Sequence, residues 1–424
     1  MKKNMKIVAA LIAIGLVSPM AYATNGNEMM AVGSQSSALG GTGVANYMGA
    51  DSAWANPAML GKSKGSEIVG GVNYFKPTVT NTGMGGTAKT SGTNASVIPD
   101  VSFSSRISDN MSYGVALAGI AGMGVDYSGA SYSTHIAGKT VMSIARVMGT
   151  FAYNDKDYGV GISPILQYGS LAISYINQGG PYNAAQKADT STGFGASLGG
   201  YYNVTPDVVI AAAYQTAIEM TYGTQISGAG AQFGLCSPAS MVTGCSGQSN
   251  FGDKLAQPAE MKLGVAYNIS NVTLTADYKS IQWSAATGFK DFNWKDQTVV
   301  AVGAKYNGNG YWLGAGYNSA NDPIGEVSPS ANPTNAEYKS AAINFFNNML
   351  FPAIVQNSMT FGGGYDVSKT LAIEASAVIS PEVKKTVDVT AVMIAGGAPP
   401  SGAPYTNTTT HSQNAFSVSM RYKF

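Results

Sequence analysis

Apolar and polar side chains alternate with a period of two through most of this chain, and that pattern constrains its fold more than any other feature. Near the C-terminus Phe416, Val418, Met420, Tyr422 and Phe424 fall on one face, while Ala415, Ser417, Ser419, Arg421 and Lys423 fall on the other. Met261, Leu263, Val265 and Tyr267 alternate in the same way with Glu260, Lys262, Gly264 and Ala266, as do Val272, Leu274, Ala276 and Tyr278 with Thr273, Thr275, Asp277 and Lys279. Successive residues of a β-strand point to opposite faces, so each run is a strand with one apolar and one polar side. A soluble β-sandwich with its apolar face inward and a membrane barrel with its apolar face outward both satisfy this, and periodicity alone does not separate them.

The connections do separate them. Short polar turns at residues 108–110, 154–157, 203–207, 268–271, 307–310 and 366–369 alternate with long Gly/Ser/Asn-rich stretches near 77–96, 121–140, 177–190, 227–254, 284–295, 319–356 and 381–412. Tight turns on one side and long loops on the other are the layout of an outer-membrane barrel, with the turns on the periplasmic side. The runs between them predict about fourteen strands, an even number as bacterial barrels have. They lie near 66–76, 97–107, 111–120, 141–153, 158–176, 191–202, 208–226, 255–267, 272–283, 296–306, 311–318, 357–365, 370–380 and 413–424. The expected fold class is therefore all-β, an antiparallel transmembrane barrel over residues 65–424.

Composition agrees with this class. Charged residues make up 11% of the 424, against about a quarter in a typical soluble domain. Mean hydropathy is nevertheless only +0.03, and after the N-terminus no apolar run reaches the length of a spanning helix. Glycine (52) and tyrosine (24) suit turns and an aromatic girdle, and a net charge of +1 excludes an electrostatic grip on nucleic acid. Lys2, Lys3 and Lys6, the apolar run Ile7 to Val17, and Ala21-Tyr22-Ala23 predict a signal peptide over residues 1–23 with the mature chain starting at Thr24. The other reading, an uncleaved anchor, needs a longer apolar stretch. Cys236 and Cys245 lie in a Gly/Ser-rich stretch and, in an exported protein, are expected to form one loop-pinning disulfide in preference to a reactive pair.

Residues 24–64 precede the first strand and do not alternate. Their Ala, Met and Trp content predicts a folded plug, or hatch, inside a barrel wide enough to need filling. Asp51 or Ser52 can cap a short helix that ends before Pro57. The stretch from Ser37 to Ala58 is Gly-rich, then acidic at Asp51, then Asn56-Pro57-Ala58. Together with Thr205-Pro206-Asp207, Gln257-Pro258-Ala259, Asp277 to Trp283, Trp294-Lys295-Asp296, Phe351-Pro352-Ala353-Ile354 and Arg421-Tyr422-Lys423-Phe424, it resembles the FadL-type outer-membrane transporters of long-chain fatty acids and aromatic hydrocarbons. The matches span nearly the whole mature chain. The hatch motif departs from the family in carrying one acidic residue where two often stand.

That resemblance implies passive uptake of hydrophobic compounds, with a hatch across the straight channel and an inward kink in the third strand opening a lateral gap. Gly119, Gly122 and Gly124 are the kink candidates here; the bland reading is ordinary barrel glycine. Residues 341–355 form the most apolar stretch outside the strands, and Phe345, Phe346 and Phe351 are candidates to line an entry groove on a short helix, or else to pack on the barrel mouth. Arg106, Arg146, Lys262, Lys279 and Lys305, with Glu219, Glu260, Asp277 and Glu374, fall on the expected inner face. Most should be paired there for structural reasons, while Arg106 or Arg146 would hold a ligand carboxylate if the ligand has one.

An enzyme is not expected. The two histidines, His135 and His411, fall in expected outer loops without metal-ligand spacing, and no Gly-rich motif joins a strand to a helix as a nucleotide loop does. No cofactor or metal is called for. Expected partners are hydrophobic small molecules, outer-membrane lipid and lipopolysaccharide, and the barrel-assembly machinery reading the strand that ends on Phe424; family members act as single barrels, which implies a monomer. A general diffusion porin and a surface adhesin are the alternatives.

Overall fold

The computed structural model describes residues 24–83, 86–128, 138–175, 187–232, 251–327, 335–395 and 398–424. Among these, fourteen strands close into an antiparallel barrel: β1 (Glu67–Thr82), β2 (Ser96–Arg106), β3 (Met111–Met123), β4 (Gly138–Asn154), β5 (Tyr158–Tyr175), β6 (Asp189–Asn203), β7 (Val208–Gln215), β8 (Glu260–Ile269), β9 (Val272–Ile281), β10 (Gln297–Asn307), β11 (Tyr311–Ala320), β12 (Asn357–Asp366), β13 (Leu371–Asp388) and β14 (Thr406–Lys423). Each pairs with its sequence neighbours, and β14 returns to β1 from Lys423↔Glu67 to Thr408↔Thr82. Closure satisfies backbone donors and acceptors that lipid would leave without partners. The signal-peptide region and both cysteines lie outside the described residues.

Alternation has the outward sense. On β8, Met261, Leu263, Val265 and Tyr267 are exposed while Glu260 and Lys262 are buried. Tyr153, Tyr158, Tyr202, Tyr267, Tyr306, Tyr311 and Tyr365 point outward near the short turns and form an aromatic girdle at that rim.

Two expected strands divide. The predicted run 208–226 leaves the wall after Gln215, and 255–267 is split at Pro258, which has no N–H for the ladder. The short strands Ile218–Thr221 and Lys254–Gln257 instead pair with each other. They pack inside the wall: a Cβ on Gly193 or Gly195 of β6 would stand 2.6 Å from Ile218, and one on Gly169 of β5 would stand 2.0 Å from the Tyr222 hydroxyl. Glu219, expected in the lumen, is exposed on this hairpin and pairs with Lys254 at 2.7 Å.

Helices occupy the ends and interior: α1 (Ser34–Ala38), α2 (Ser52–Ala55), α3 (Gln225–Gln232), α4 (Asn335–Leu350) and α5 (Thr390–Ala395). The expected loop 381–412 is strand at both ends, because β13 runs to Asp388 and β14 begins at Thr406. His411 is therefore a buried strand residue, with Nδ1 2.7 Å from the Pro352 carbonyl oxygen, and not a loop residue.

Candidate ligand pocket and wall gap

Residues 24–63 sit inside the barrel, held from many sides of the wall. Asp277 Oδ2 on β9 accepts from the Gly43 and Val44 amides at 2.7 and 3.0 Å. Thr360 Oγ1 on β12 accepts from Gly40 N at 2.9 Å and donates to the Ala38 carbonyl at 2.8 Å. Asn318 Nδ2 on β11 donates to the Gly40 carbonyl at 2.9 Å, and Trp54 Nε1 donates to Ser102 Oγ on β2 at 3.2 Å.

Asn56, Pro57 and Ala58 form one local device. α2 stops at Asn56, whose extended backbone suits a residue before proline, and Pro57 then opens a 3-10 helix, Pro57–Lys62. Asn56 Oδ1 accepts from Ala58 N at 3.0 Å to cap that helix, while Asn56 Nδ2 donates to the Val44 carbonyl at 2.8 Å and the Gly200 carbonyl at 3.2 Å. One side chain thus joins two stretches of the segment to β6. Asp51 stands before α2 without a side-chain cap bond; its carboxylate lies 3.7 Å from Arg421 on β14. Burial pushes the Asp51 carboxyl up to about 6 against the pull of Arg421. Arg421 also meets Glu374 at 3.1 Å and Glu67, and Gln35 donates to Glu374 at 2.7 Å.

The wall is interrupted between β2 and β3. Their pairing ends at Asp100↔Ala118; beyond it residues 96–99 of β2 pair only with β1. On β3 the register with β4 slips between Gly119 and Ala121. Alternation is lost there, and residues 119–123 are all buried, so the strand turns inward. Its vacated edge is taken by the N-terminal segment, where Glu28 lies opposite Ala121 and Gly122 N donates to the Asn27 carbonyl at 3.0 Å. Gly119 is at the slip, and Gly122 and Gly124 line a small cavity beside the gap with Thr24, Val79, Met123, Ala353, His411 and Gln413. A Cβ on Gly124 would stand 2.4 Å from the Thr140 carbonyl oxygen, so the close passage of β3 over β4 needs glycine there.

A second cavity is apolar. Met123, Met142, Leu171, Ile173, Ile226, Leu255, Phe289, Phe292, Trp294, Phe346, Asn347 and Phe351 line it. Phe292 and Phe346 stack at 4.7 Å between ring centroids, and Phe346 meets Phe351 at 5.4 Å. The helix α4 buries Ala342, Phe345, Phe346 and Met349, which recur at helical spacing, and of these Phe346 lines the cavity. Asn347 brings the pocket's one polar side chain among the described residues, and its amide is occupied: Nδ2 donates to the Phe292 carbonyl at 2.7 Å and Oδ1 accepts from Trp294 Nε1 at 3.3 Å. Phe345 is buried in the same core but does not line the cavity.

Below lies a polar chamber whose lining includes Glu28, Arg146, Gln215, Glu260, Lys262 and Lys279. Arg146 donates to Gln167 Oε1 at 2.7 Å and Gln215 Oε1 at 2.8 Å and faces Glu28 at 3.9 Å; Glu260 receives Lys262 at 3.3 Å and Lys279 at 3.6 Å. Burial, then the neighbouring Glu260 carboxylate, pushes Glu28 up to about 8.

Of the residues singled out from the sequence, Phe346 and Phe351 reach the apolar pocket, Arg146 the polar chamber, and the three glycines the gap. Arg106 does not enter the lumen. It sits at the short-turn rim, exposed, with Nε donating to the Ser108 carbonyl at 2.8 Å. The sequence did not single out Phe289 and Phe292, and Trp294 entered only through the family resemblance, although three large aromatics within a polar loop were a usable signal. Among the described residues no His/Cys/Asp/Glu group has the arrangement of a metal site.

No curated protein sequence matches the chain significantly. Solved structures share its fold: the toluene transporter TodX of P. putida (19% identity, TM-score 0.66, covering 93% of this chain and 99% of that one), a FadL homologue of Pseudomonas aeruginosa (16%, 0.66, 94% and 100%) and the toluene transporter TbuX of Ralstonia pickettii (17%, 0.61, 93% and 99%). The family model described as outer membrane protein transport protein (OMPP1/FadL/TodX) matches residues 12–332. With its closed fourteen-stranded wall, this chain belongs to that family of outer-membrane barrels.

Proposed function

We propose that the protein carries uncharged hydrophobic molecules, of the size of small aromatics, from the outer surface into the apolar pocket and out through the gap between β2 and β3, with residues 24–64 acting as the hatch. One observation carries the choice of ligand. Among the described residues the pocket is lined by rings, aliphatic chains and the already engaged amide of Asn347, and no charged side chain reaches it. A carboxylate placed there would lose its hydration with no partner in return, whereas a hydrocarbon loses nothing. Arg146, the cation that a fatty acid would need, is engaged by Gln167, Gln215 and Glu28 in the chamber below. A lumen filled by residues 24–63 speaks against a general diffusion porin, which needs an open aqueous path.

The test is uptake of labelled toluene and of a labelled long-chain fatty acid by cells with and without the protein, and with residues 24–64 removed. Faster toluene entry than in cells lacking the protein is the expected result. Equal entry overturns the transport reading, and faster entry of the fatty acid alone overturns the choice of an uncharged ligand.

A further inference from the structure

The apolar pocket and the cavity beside the wall gap are separate spaces, and among the described residues Met123 is the one side chain that lines both. It is buried, and it stands between the two linings. Its position follows from β3. The register slip before Ala121 turns the strand inward, and Met123 is the last residue of the strand on that inward course. Gly122 and Gly124 flank it, and neither has a side chain to share the task. Gly124 is pinned by its approach to the Thr140 carbonyl, and Gly122 by its bond to Asn27. The backbone around Met123 is thereby held. Methionine is unbranched, with three rotatable bonds and a polarisable sulfur that makes favourable contacts with aromatic rings. A β-branched residue at this place would be confined at its first side-chain torsion.

We infer that the Met123 side chain is the door between the ligand pocket and the lateral exit, and that its length and torsional freedom set the width of ligand that passes. This rests on the transport reading above. It adds a residue to that reading: the step from pocket to gap requires the Met123 side chain to swing.

The experiment separates binding from passage. Binding of labelled toluene to the purified, detergent-solubilised protein is followed by equilibrium dialysis, and passage through uptake by cells. Met123→Trp is expected to lower uptake by more than it weakens toluene binding, since Met123 also lines the pocket; a loss of uptake no larger than the loss of affinity overturns the inference. Met123→Ala is expected to raise uptake of a bulkier hydrocarbon such as naphthalene relative to toluene. Since Met123→Trp can disturb folding, a second variant adds the bulk afterwards. Met123→Cys, in a Cys236→Ser and Cys245→Ser background, is folded first and then modified with a benzyl methanethiosulfonate; uptake is expected to fall on modification and recover on reduction. Unchanged uptake after complete modification, or an unchanged naphthalene-to-toluene ratio in Met123→Ala, overturns the inference. If the wild-type protein itself gives no uptake above cells lacking it, the transport reading fails first; uptake that ignores Met123 removes the door alone.

Discussion

Glu28, in the segment inside the barrel, lies in antiparallel register with Ala121, on the edge that β3 exposes where it leaves β2. The same residue turns its carboxyl toward Arg146 and Glu260. Backbone pairing over the wall gap and the charge balance of the polar chamber therefore meet at one position.

The attachment of this segment should depend on pH. Glu28 has an ordinary value of 4.5 and is pushed up to about 8 by burial and by Glu260. A group whose folded value is raised stabilises the folded arrangement fully below its free value, and that contribution is lost as pH rises through the folded value. The N-terminal segment should accordingly loosen between about pH 4.5 and 8. A spin label at Asn25 would report rising mobility over this range, and Glu28→Gln should flatten the profile. A label equally immobile at both ends of the range would contradict it.

Phe346→Ala should weaken toluene binding about tenfold, because the ring stacks on Phe292 and supplies pocket wall that a methyl group cannot replace. The barrel does not include α4, so heat-modifiable migration on gels should stay as in the wild type. Replacing Phe345, which is buried beside the pocket without lining it, should affect binding less.

Arg421→Leu should be the most destabilising single change at the short-turn end. It would leave Glu67, Glu374 and Asp51 buried without their shared cation, at a cost of about 3–5 kcal/mol. Thermal unfolding followed by circular dichroism would show the lower midpoint. Replacing Glu374 by Gln alongside it should recover part of the loss.

Leu263→Arg places a charge on the lipid face of β8 and should cost about 2–4 kcal/mol if the site is near the midplane of the bilayer. Folding titrations into lipid vesicles would measure it, and Lys262→Arg, one residue away on the inner face, is the control that should cost little.

All fourteen wall strands were legible in the sequence because a lipid outside and a polar lumen impose the same period on each of them. Face is what period two encodes, and height along the strand is not. Arg106 shows the difference: it has the parity of the inner face but sits at the rim, where its guanidinium folds back on its own turn. The hairpin of Ile218–Thr221 with Lys254–Gln257 escaped notice for a related reason, since it alternates as the wall does and only the missing N–H of Pro258 and the glycines of β5 and β6 betray its inward course. The apolar pocket was half legible. Phe346 and Phe351 stand out in a single stretch, but Met123, Leu171, Ile226 and Trp294 come together from distant parts of the chain, and their meeting is a property of closure.

The knot around Arg421 bears on the order of events during biogenesis. Its partners are Asp51, ahead of the barrel, Glu67 on the first strand and Glu374 on the thirteenth, while Arg421 itself belongs to the fourteenth. A chain emerging from its N-terminus must keep Asp51 and Glu67 waiting until nearly every strand has been delivered. The interior segment can lock only when the seam between β14 and β1 is sewn, so an incompletely built wall is also an unlocked one.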